Sequence, residues 1–341
     1  MVDIGPMTRS VCLGLSVLAG LVAGCGSVST QSSMGADAAA VDAGSATPDV
    51  VAADAPVADD TGSTTLGADV PAGSAALVAA RPYGLRVPPS YDGTRAVPLV
   101  VLLHGYGATG IAQAFYFGLP NLASREGFLL AHPDGTLDDA GRRFWRASRA
   151  CCDFANAGGD DVAYLNAVLD DVSARYRVDP DRVFLVGHSN GGFMAHRMAC
   201  AASPRIAAVV SLAGATGVDD DYPCAPTSPV SVLQIHGTED ATVRFTGGAF
   251  PLGPTSAYPG ARASVERWRV LSSCGAFADV APTLDLDSAV AGPETTVLRA
   301  GGCMRGGVEL WTMQGSGHIP GLTAEFGAQM WSFLQAHPRR P

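Results

Sequence analysis

The chain has 341 residues, of which 47 % are hydrophobic and 16 % charged, with a formal net charge of −10. This composition is too apolar for a disordered chain and lacks the long apolar runs of a protein with several membrane spans. Residues 26–80 hold seven Asp and no Arg, whereas the chain from Arg81 onward has 24 acidic residues against 21 Arg. A nearly neutral body gives no electrostatic reason to expect a nucleic-acid partner.

Residues 1–25 have the pattern of a signal peptide with a lipobox. Arg9 precedes the apolar run 11–22, which at twelve residues is too short to span a bilayer but suits a signal-peptide core. Small residues then lead into Cys25, which predicts lipid attachment at that cysteine. An ordinary secretory signal with an incidental Cys is the alternative.

Residues 26–75 consist mainly of Ala, Ser, Gly, Thr, Pro, Val and Asp, without an aromatic residue. Such a segment cannot bury enough surface to offset its chain entropy, so we expect a disordered linker. The folded domain is then 76–341. We expect an exported protein, at the cell surface or in the periplasm, that touches the membrane only through its lipid anchor.

In the folded part, apolar strand-like runs alternate with helix-like stretches. The predicted elements in chain order are strands 97–103 and 128–132, a helix beginning near 160, strand 182–186, helix 189–202, strands 206–212 and 230–235, helix 263–271, strand 308–313 and helix 322–334. Continuously apolar strands indicate a parallel sheet covered on both faces. Right-handed crossovers then predict a three-layer α/β fold with a mostly parallel central sheet.

Residues 187–191 fit the pattern G-x-S-x-G, and a predicted strand runs into them while a helix runs out. A nucleophile on such a turn has a strained backbone, so its neighbours must be small. Ser189 would lie above the carboxyl ends of the strands, where open α/β sheets place their sites. The alternative is a tight glycine turn with an idle serine.

A serine at its ordinary pKa is a poor nucleophile and needs a base with an orienting acid. In this arrangement the chain order is Ser, acid, His. His318 follows the last predicted strand in a glycine-rich loop and is the favoured base over His196, His236 and His337.

The acid should follow an earlier strand, and strand 230–235 is followed by both Glu239 and Asp240, of which Asp240 is favoured. The acidic run 219–221 is better explained as a solvated loop. Two backbone donors are also needed for an oxyanion. We expect them to be the amides of Asn190, directly after Ser189, and of Tyr106, in the glycine-rich loop after strand 97–103.

Export also bears on the cysteines, because the six in the body would meet an oxidising compartment. Six cysteines allow 15 pairings. A metal site is the weaker alternative, since no CxxC or Cys-His spacing of the zinc type occurs.

Taken together, these features resemble the poly(3-hydroxybutyrate) depolymerase-type esterases, an α/β-hydrolase family that also contains secreted feruloyl and acetyl-xylan esterases. The resemblance rests on residues 104–107, 144–145, 151–152, 160–162, 187–192, 236–240 and 317–318. It implies a triad of Ser189, Asp240 and His318, with the amides of Tyr106 and Asn190 as oxyanion donors. It also suggests the disulfides Cys200–Cys224 and Cys274–Cys303, and leaves Cys151 and Cys152 open between a vicinal bond and free thiols.

One departure concerns the run after His318, which lacks the Trp that many relatives carry before Pro-Gly, so specificity for a polymer is open. Trp145 is the favoured substrate contact, because it lies in a loop rich in Arg and Cys. We expect a monomeric serine ester hydrolase without metal or cofactor, acting on feruloyl or acetyl esters of plant polysaccharide or on polyhydroxyalkanoate. The alternatives are a serine peptidase on the same fold and a non-catalytic surface lipoprotein.

Overall fold

The computed structural model describes residues 71–154, 158–218, 222–250, 256–304 and 306–339. The predicted signal peptide, Cys25, most of the predicted linker and the acidic run 219–221 lie outside the described residues. Within the described part of the chain, no helix is both long and apolar enough to cross a membrane.

Seven α-helices and one 3-10 turn are found in the described ranges. The helices are α1 (Ala72–Ala80), α2 (Gly110–Tyr116), α3 (Leu119–Glu126), α4 (Asp161–Arg175), α5 (Asn190–Ala201), α6 (Ala261–Leu271) and α7 (Ala324–Ala336), and the 3-10 turn is Ser203–Arg205.

Nine strands form the main sheet and four short ones form two small hairpin-like pairs. The strands are β1 (Gly84–Arg86), β2 (Val97–Leu103), β3 (Leu129–His132), β4 (Thr136–Leu137), β5 (Arg143–Phe144), β6 (Val178–His188), β7 (Ala208–Leu212), β8 (Ser231–Gly237), β9 (Gly247–Gly248), β10 (Tyr258–Pro259), β11 (Phe277–Leu284), β12 (Thr295–Ala300) and β13 (Val308–Met313).

The main sheet has the order β1-β3-β2-β6-β7-β8-β13-β12-β11. The six central strands from β3 to β13 pair in parallel, while β1, β12 and β11 pair antiparallel at the two edges. The predicted three-layer α/β-hydrolase fold with a mostly parallel sheet is therefore confirmed, although the antiparallel edges were not predicted.

Strand β2 shows how the sheet separates two cores. Leu99, Val101 and Leu103 pack into the cluster that includes α4, α5 and α6. Val100 and Leu102 point the other way, into the cluster formed with α3 and α7. Because successive side chains leave a strand on opposite faces, a continuously apolar strand fills both layers.

Helix α1 lies across the predicted end of the linker at residue 75. It begins at Ala72, four residues before the predicted boundary. The Ser74 hydroxyl donates to Asp170 Oδ2 at 2.7 Å, which ties α1 to α4. Five of the nine residues of α1 are Ala, which favours helix, and packing on α4 supplies the support that the isolated segment lacks.

Three disulfides lie among the described residues. Both suggested pairs, Cys200–Cys224 and Cys274–Cys303, are present, and Cys151 pairs with Cys152. The two long-range bonds close segments of 24 and 29 residues. Loops of that length lose about 3 kcal/mol of unfolded-state entropy when cross-linked.

Candidate active site

Ser189 occupies the sharp turn between β6 and α5. Its backbone has φ 54° and ψ −120°, a conformation that few non-glycine residues adopt. A Cβ at Gly187 would overlap the carbonyl of Gly191, and a Cβ at Gly191 would overlap that of Leu103. Both glycines of the motif are thus required for steric reasons.

The structure brings Ser189, His318 and Asp240 together. His318 Nε2 lies 2.9 Å from Ser189 Oγ, and its Nδ1 lies 2.7 Å from Asp240 Oδ2. Asp240 is buried, whereas the neighbouring Glu239 is exposed, so the choice that the sequence left open between them is resolved by position.

The other predicted candidates for the base are engaged elsewhere. His196 is buried against Gln234, and His337 lies against the Phe333 carbonyl. His236 Nε2 lies 2.7 Å from the Val243 carbonyl and 3.4 Å from Asp240 Oδ2, so His236 is engaged at the turn that carries the acid.

The carboxylate of Asp240 is held by its own turn. Its Oδ1 accepts hydrogen bonds from the amides of Thr242 and Val243, each at 2.8 Å. Burial raises the pKa of Asp240, but hydrogen bonds from His236 and His318 outweigh burial and bring it well below its usual range. An ionised Asp240 keeps the proton of His318 on Nδ1, which leaves the Nε2 lone pair facing Ser189.

The loop that carries His318 is clamped by two side chains that sequence reasoning did not single out. His188 Nε2 donates to the carbonyl of His318 at 2.9 Å, and the Tyr116 hydroxyl donates to that of Pro320 at 2.8 Å. Burial lowers the pKa of His188 to about 4, so this imidazole is neutral at pH 7. The position of His188 inside the G-x-S-x-G motif was the available signal.

The two predicted oxyanion donors flank the site. Asn190 is the first residue of α5, so its amide has no acceptor within the helix. Tyr106 lies in the loop after β2, and the amides on either side of it are engaged. That of Gly105 donates to Gln113 Oε1, and that of Gly107 donates to the Arg143 carbonyl. Tyr106 and Ser189 line the same cavity.

The prediction that Trp145 contacts the substrate requires a correction, because its side chain is completely buried and offers no surface to a substrate. Its indole donates to the carbonyl of His104 at 3.0 Å, and its backbone N–H and C=O are both bonded to the Asn190 side chain at 2.6 and 2.8 Å. The loop rich in Arg and Cys folds inward here. Trp145 therefore braces His104, at the start of the loop with Tyr106, and Asn190, so it supports the two segments predicted to carry the oxyanion donors.

A cavity of about 390 Å³ opens beside Ser189 and His318. No carboxylate, Lys or Arg lies among its lining residues, and Tyr106 and Tyr116 supply aromatic surface. Ile319, at its mouth, is 69 % exposed. Such a cavity suits an uncharged group placed next to the Ser189 hydroxyl.

Among the described residues, no group of three or more His, Cys, Asp or Glu is placed to hold a metal ion. What the arrangement offers is a hydroxyl beside a base, a base beside a carboxylate, and, at Asn190 directly after the serine, an amide with no acceptor within its helix. These parts are the ones that acyl transfer through a serine requires.

Comparison with known proteins gives a family and relatives. Residues 65–275 match the family described as esterase PHB depolymerase. The protein named "Probable feruloyl esterase C" from Aspergillus clavatus is 32 % identical over 176 residues, 49 % of this chain and 57 % of that protein. Feruloyl esterase B from Piromyces equi is 26 % identical over 196 residues, 56 % of this chain and 35 % of that protein.

The chain thus spans about a third to three fifths of the length of these two curated relatives. Among solved structures, an acetyl xylan esterase from Aspergillus awamori aligns with a TM-score of 0.49 at 17 % identity, over 74 % of this chain and 92 % of that one. Because the family match covers more than half of the chain and includes Ser189 and Asp240, the chain belongs to the esterase PHB depolymerase family.

Proposed function

We propose that the protein is a carboxylic ester hydrolase in which Ser189 is the nucleophile, His318 the general base and acid, and Asp240 the group that orients His318. The observation that carries this proposal is the pair of short contacts made by one imidazole, 2.9 Å to Ser189 Oγ and 2.7 Å to Asp240 Oδ2. Family membership supports the reaction class.

The reaction would follow from this geometry in two halves. Ser189 Oγ attacks the ester carbonyl carbon while its proton passes to His318 Nε2, and the amides of Tyr106 and Asn190 stabilise the oxyanion. Collapse of the intermediate breaks the bond to the alcohol, which leaves with the proton from His318. Water then attacks the acyl-enzyme with His318 again as base, and the acid is released.

The lining of the cavity supports an uncharged acyl group, which acetyl, feruloyl and hydroxyalkanoyl groups all provide. We therefore propose esters of plant polysaccharide or polyhydroxyalkanoate as substrates. Two relatives named as feruloyl esterases favour the first of these. Product analysis on feruloylated arabinoxylan, acetylxylan and polyhydroxybutyrate would distinguish the acyl groups.

The decisive experiment is labelling with a fluorophosphonate probe alongside hydrolysis of p-nitrophenyl acetate. We expect labelling and hydrolysis in the natural protein and the loss of both in Ser189→Ala. Ser272→Ala, which removes another buried serine outside the cavity, should retain both. Hydrolysis that survives Ser189→Ala would refute the proposed nucleophile, and turnover of a fluorogenic peptide panel in place of esters would point to a peptidase.

We also propose that the protein is exported and tethered as a monomer through a lipid on Cys25. The signal-like N-terminal segment and the three disulfides support export. Labelled palmitate should be incorporated in the natural protein and in Cys12→Ser but not in Cys25→Ser. Membrane association that persists in Cys25→Ser would refute the anchor.

A further inference from the structure

A continuous line of buried polar side chains runs from helix α6 to Asp240. Trp268 on α6, His196 on α5, and Gln234 and His236 on β8 are each at most 1 % exposed. Trp268 Nε1 lies 3.0 Å from His196 Nδ1, His196 Nε2 lies 2.9 Å from Gln234 Oε1, and Gln234 Nε2 lies 3.2 Å from His236 Nδ1. None of these four residues lines the cavity.

The chemistry of the groups sets the direction of every hydrogen bond. An indole N–H can only donate, so His196 Nδ1 accepts and its proton is on Nε2, where it donates to Gln234 Oε1. The amide nitrogen of Gln234 then faces His236 Nδ1 and the carbonyl of Gly214, and it donates to both. His236 Nδ1 is therefore an acceptor, and the proton of His236 lies on Nε2.

That proton is directed at the turn that holds Asp240. His236 Nε2 lies 2.7 Å from the carbonyl of Val243 and 3.4 Å from Asp240 Oδ2. The amide of Val243 in turn donates to Asp240 Oδ1 at 2.8 Å. The turn from Asp240 to Val243 is thus held by hydrogen bonds from its own amides to Asp240 Oδ1 and by a hydrogen bond from His236 to the Val243 carbonyl.

We propose that His236 is a positioning residue for ester hydrolysis, kept in its Nε2–H tautomer by the line Trp268–His196–Gln234 so that the Asp240–Val243 turn presents Oδ2 to His318. This inference rests on the proposed function. It assigns a role to four residues that do not touch the substrate and that lie on three different elements. The reverse tautomer would put a lone pair against the Val243 carbonyl and the Asp240 carboxylate, and would open the turn.

The charged and titratable groups that face His236 belong to the site itself. Asp240 Oδ2 lies 3.4 Å from its Nε2, and the ring of Phe245 contacts it edge-on at 5.8 Å. His188 and His318 both interact electrostatically with Asp240. Arg267 is the cation that acts on His196, whose pKa burial lowers to about 4. His196 is therefore a neutral hydrogen-bonding group within the line.

The test compares His236→Leu with His236→Gln in the full chain. Leu removes the N–H group, whereas the Gln amide nitrogen can take the place of Nε2 and donate to Val243. With p-nitrophenyl acetate we expect kcat to fall about 30-fold in His236→Leu, because small misplacement of a positioning group costs up to about two orders of magnitude. KM should stay within about threefold of the natural value, and His236→Gln should recover most of kcat.

A second readout is the acid limb of the pH profile of kcat/KM. If the turn opens, Oδ2 moves from His318 Nδ1 and stabilises the imidazolium less, so the apparent pKa of that limb should fall in His236→Leu and return in His236→Gln. A purely structural role of His236 would lower the thermal midpoint without moving this limb.

The far end of the line offers a matched pair of variants should His236→Leu fail to fold. Trp268→Phe removes the indole N–H that faces His196, and Trp331→Phe removes one that donates to Glu126 Oε2 on the opposite face of the sheet. Both substitutions replace a buried indole by the smaller ring of Phe. We expect kcat to fall about threefold in Trp268→Phe alone, since the effect reaches Asp240 through three intervening residues.

Natural kcat in a folded His236→Leu, or equal kcat losses in Trp268→Phe and Trp331→Phe, would overturn the positioning role. Ser189→Ala keeps this outcome separate from the proposed function. If Ser189→Ala retains activity, the nucleophile is wrong whatever His236 does. If only Ser189→Ala is inactive and the His236 variants are normal, the hydrolase proposal stands and the positioning role fails.

Discussion

Ser189 and His318 lie in two regions of the site that are fixed by different kinds of contact. The turn at Ser189 is set by backbone contacts, with its amide donating to the carbonyl of Leu212 and its glycine neighbours packed against other backbone. The loop at His318 is instead tied down by the side chains of His188 and Tyr116. A substitution in the first region should therefore act mainly on the fold, and one in the second on the stability of the His318 loop and on activity together.

The largest effect is expected from removing the charge of Asp240, which orients His318. Asp240→Asn keeps the shape of the turn but presents an amide to His318, which favours the wrong tautomer of the imidazole. We expect kcat to fall by about 10⁴-fold with the fold intact, as measured by steady-state hydrolysis and circular dichroism. Glu239→Gln, which changes the exposed neighbour, should keep natural kcat, and a loss there as large as in Asp240→Asn would contradict the assignment of the acid.

The backbone-set region should respond through stability. Gly191→Ala forces a methyl group against the carbonyl carbon and oxygen of Leu103 on β2, so α5 must move away from the sheet. We expect a loss of about 3 kcal/mol in the free energy of unfolding, measured with urea. Gly73→Ala, where nothing lies within 4 Å of the added methyl group, should be neutral or slightly stabilising. Equal behaviour of the two variants would refute the steric account.

The side-chain clamp should make stability depend on pH. Burial lowers the folded-state pKa of His188 to about 4, below the unfolded value of about 6.5, so the unfolded chain binds more protons between these values. The contribution of His188 to the free energy of unfolding is present above pH 6.5 and is lost as the pH falls towards 4. The loss amounts to about 2 kcal/mol between pH 7 and pH 5.

His188→Gln keeps a donor for the His318 carbonyl and removes the titration. It should flatten the decline of unfolding free energy between pH 7 and pH 5, measured by urea titration at each pH. An identical slope in His188→Gln and the natural protein would show that His188 does not titrate in this range.

The smallest expected effect concerns Tyr116. Tyr116→Phe removes one hydrogen bond from the His318 loop, so we expect a loss of about 1 kcal/mol in unfolding free energy and a fall in kcat of about threefold. Tyr164→Phe is the matched control, because its buried hydroxyl has no hydrogen-bond partner within the described part of the chain. If Tyr164→Phe lost as much kcat as Tyr116→Phe, the clamp would not explain the effect.

Sequence patterns predicted the central elements well, because those patterns are local. The apolar run 97–103 became β2 with the same bounds, and Asp160 caps α4 by accepting from the amide of Ala163. The edge strands β11 and β12 escaped prediction, since the partly exposed β11 lacks a continuous apolar run. The Trp145 loop was misjudged because its composition suggests a surface loop, whereas the Asn190 side chain holds it in the core.

The sequence by itself determined the α/β order of elements and the strained turn at Ser189, because periodicity and glycine sterics act over a few residues. It also narrowed the acid to Glu239 or Asp240 and favoured His318 as the base. Only the tertiary structure decided which acidic residue meets His318, which side chains clamp its loop, and which buried groups line up behind Asp240. His318 and Ser189 are 129 positions apart. Contacts over such separations depend on how the layers pack, which no local pattern encodes.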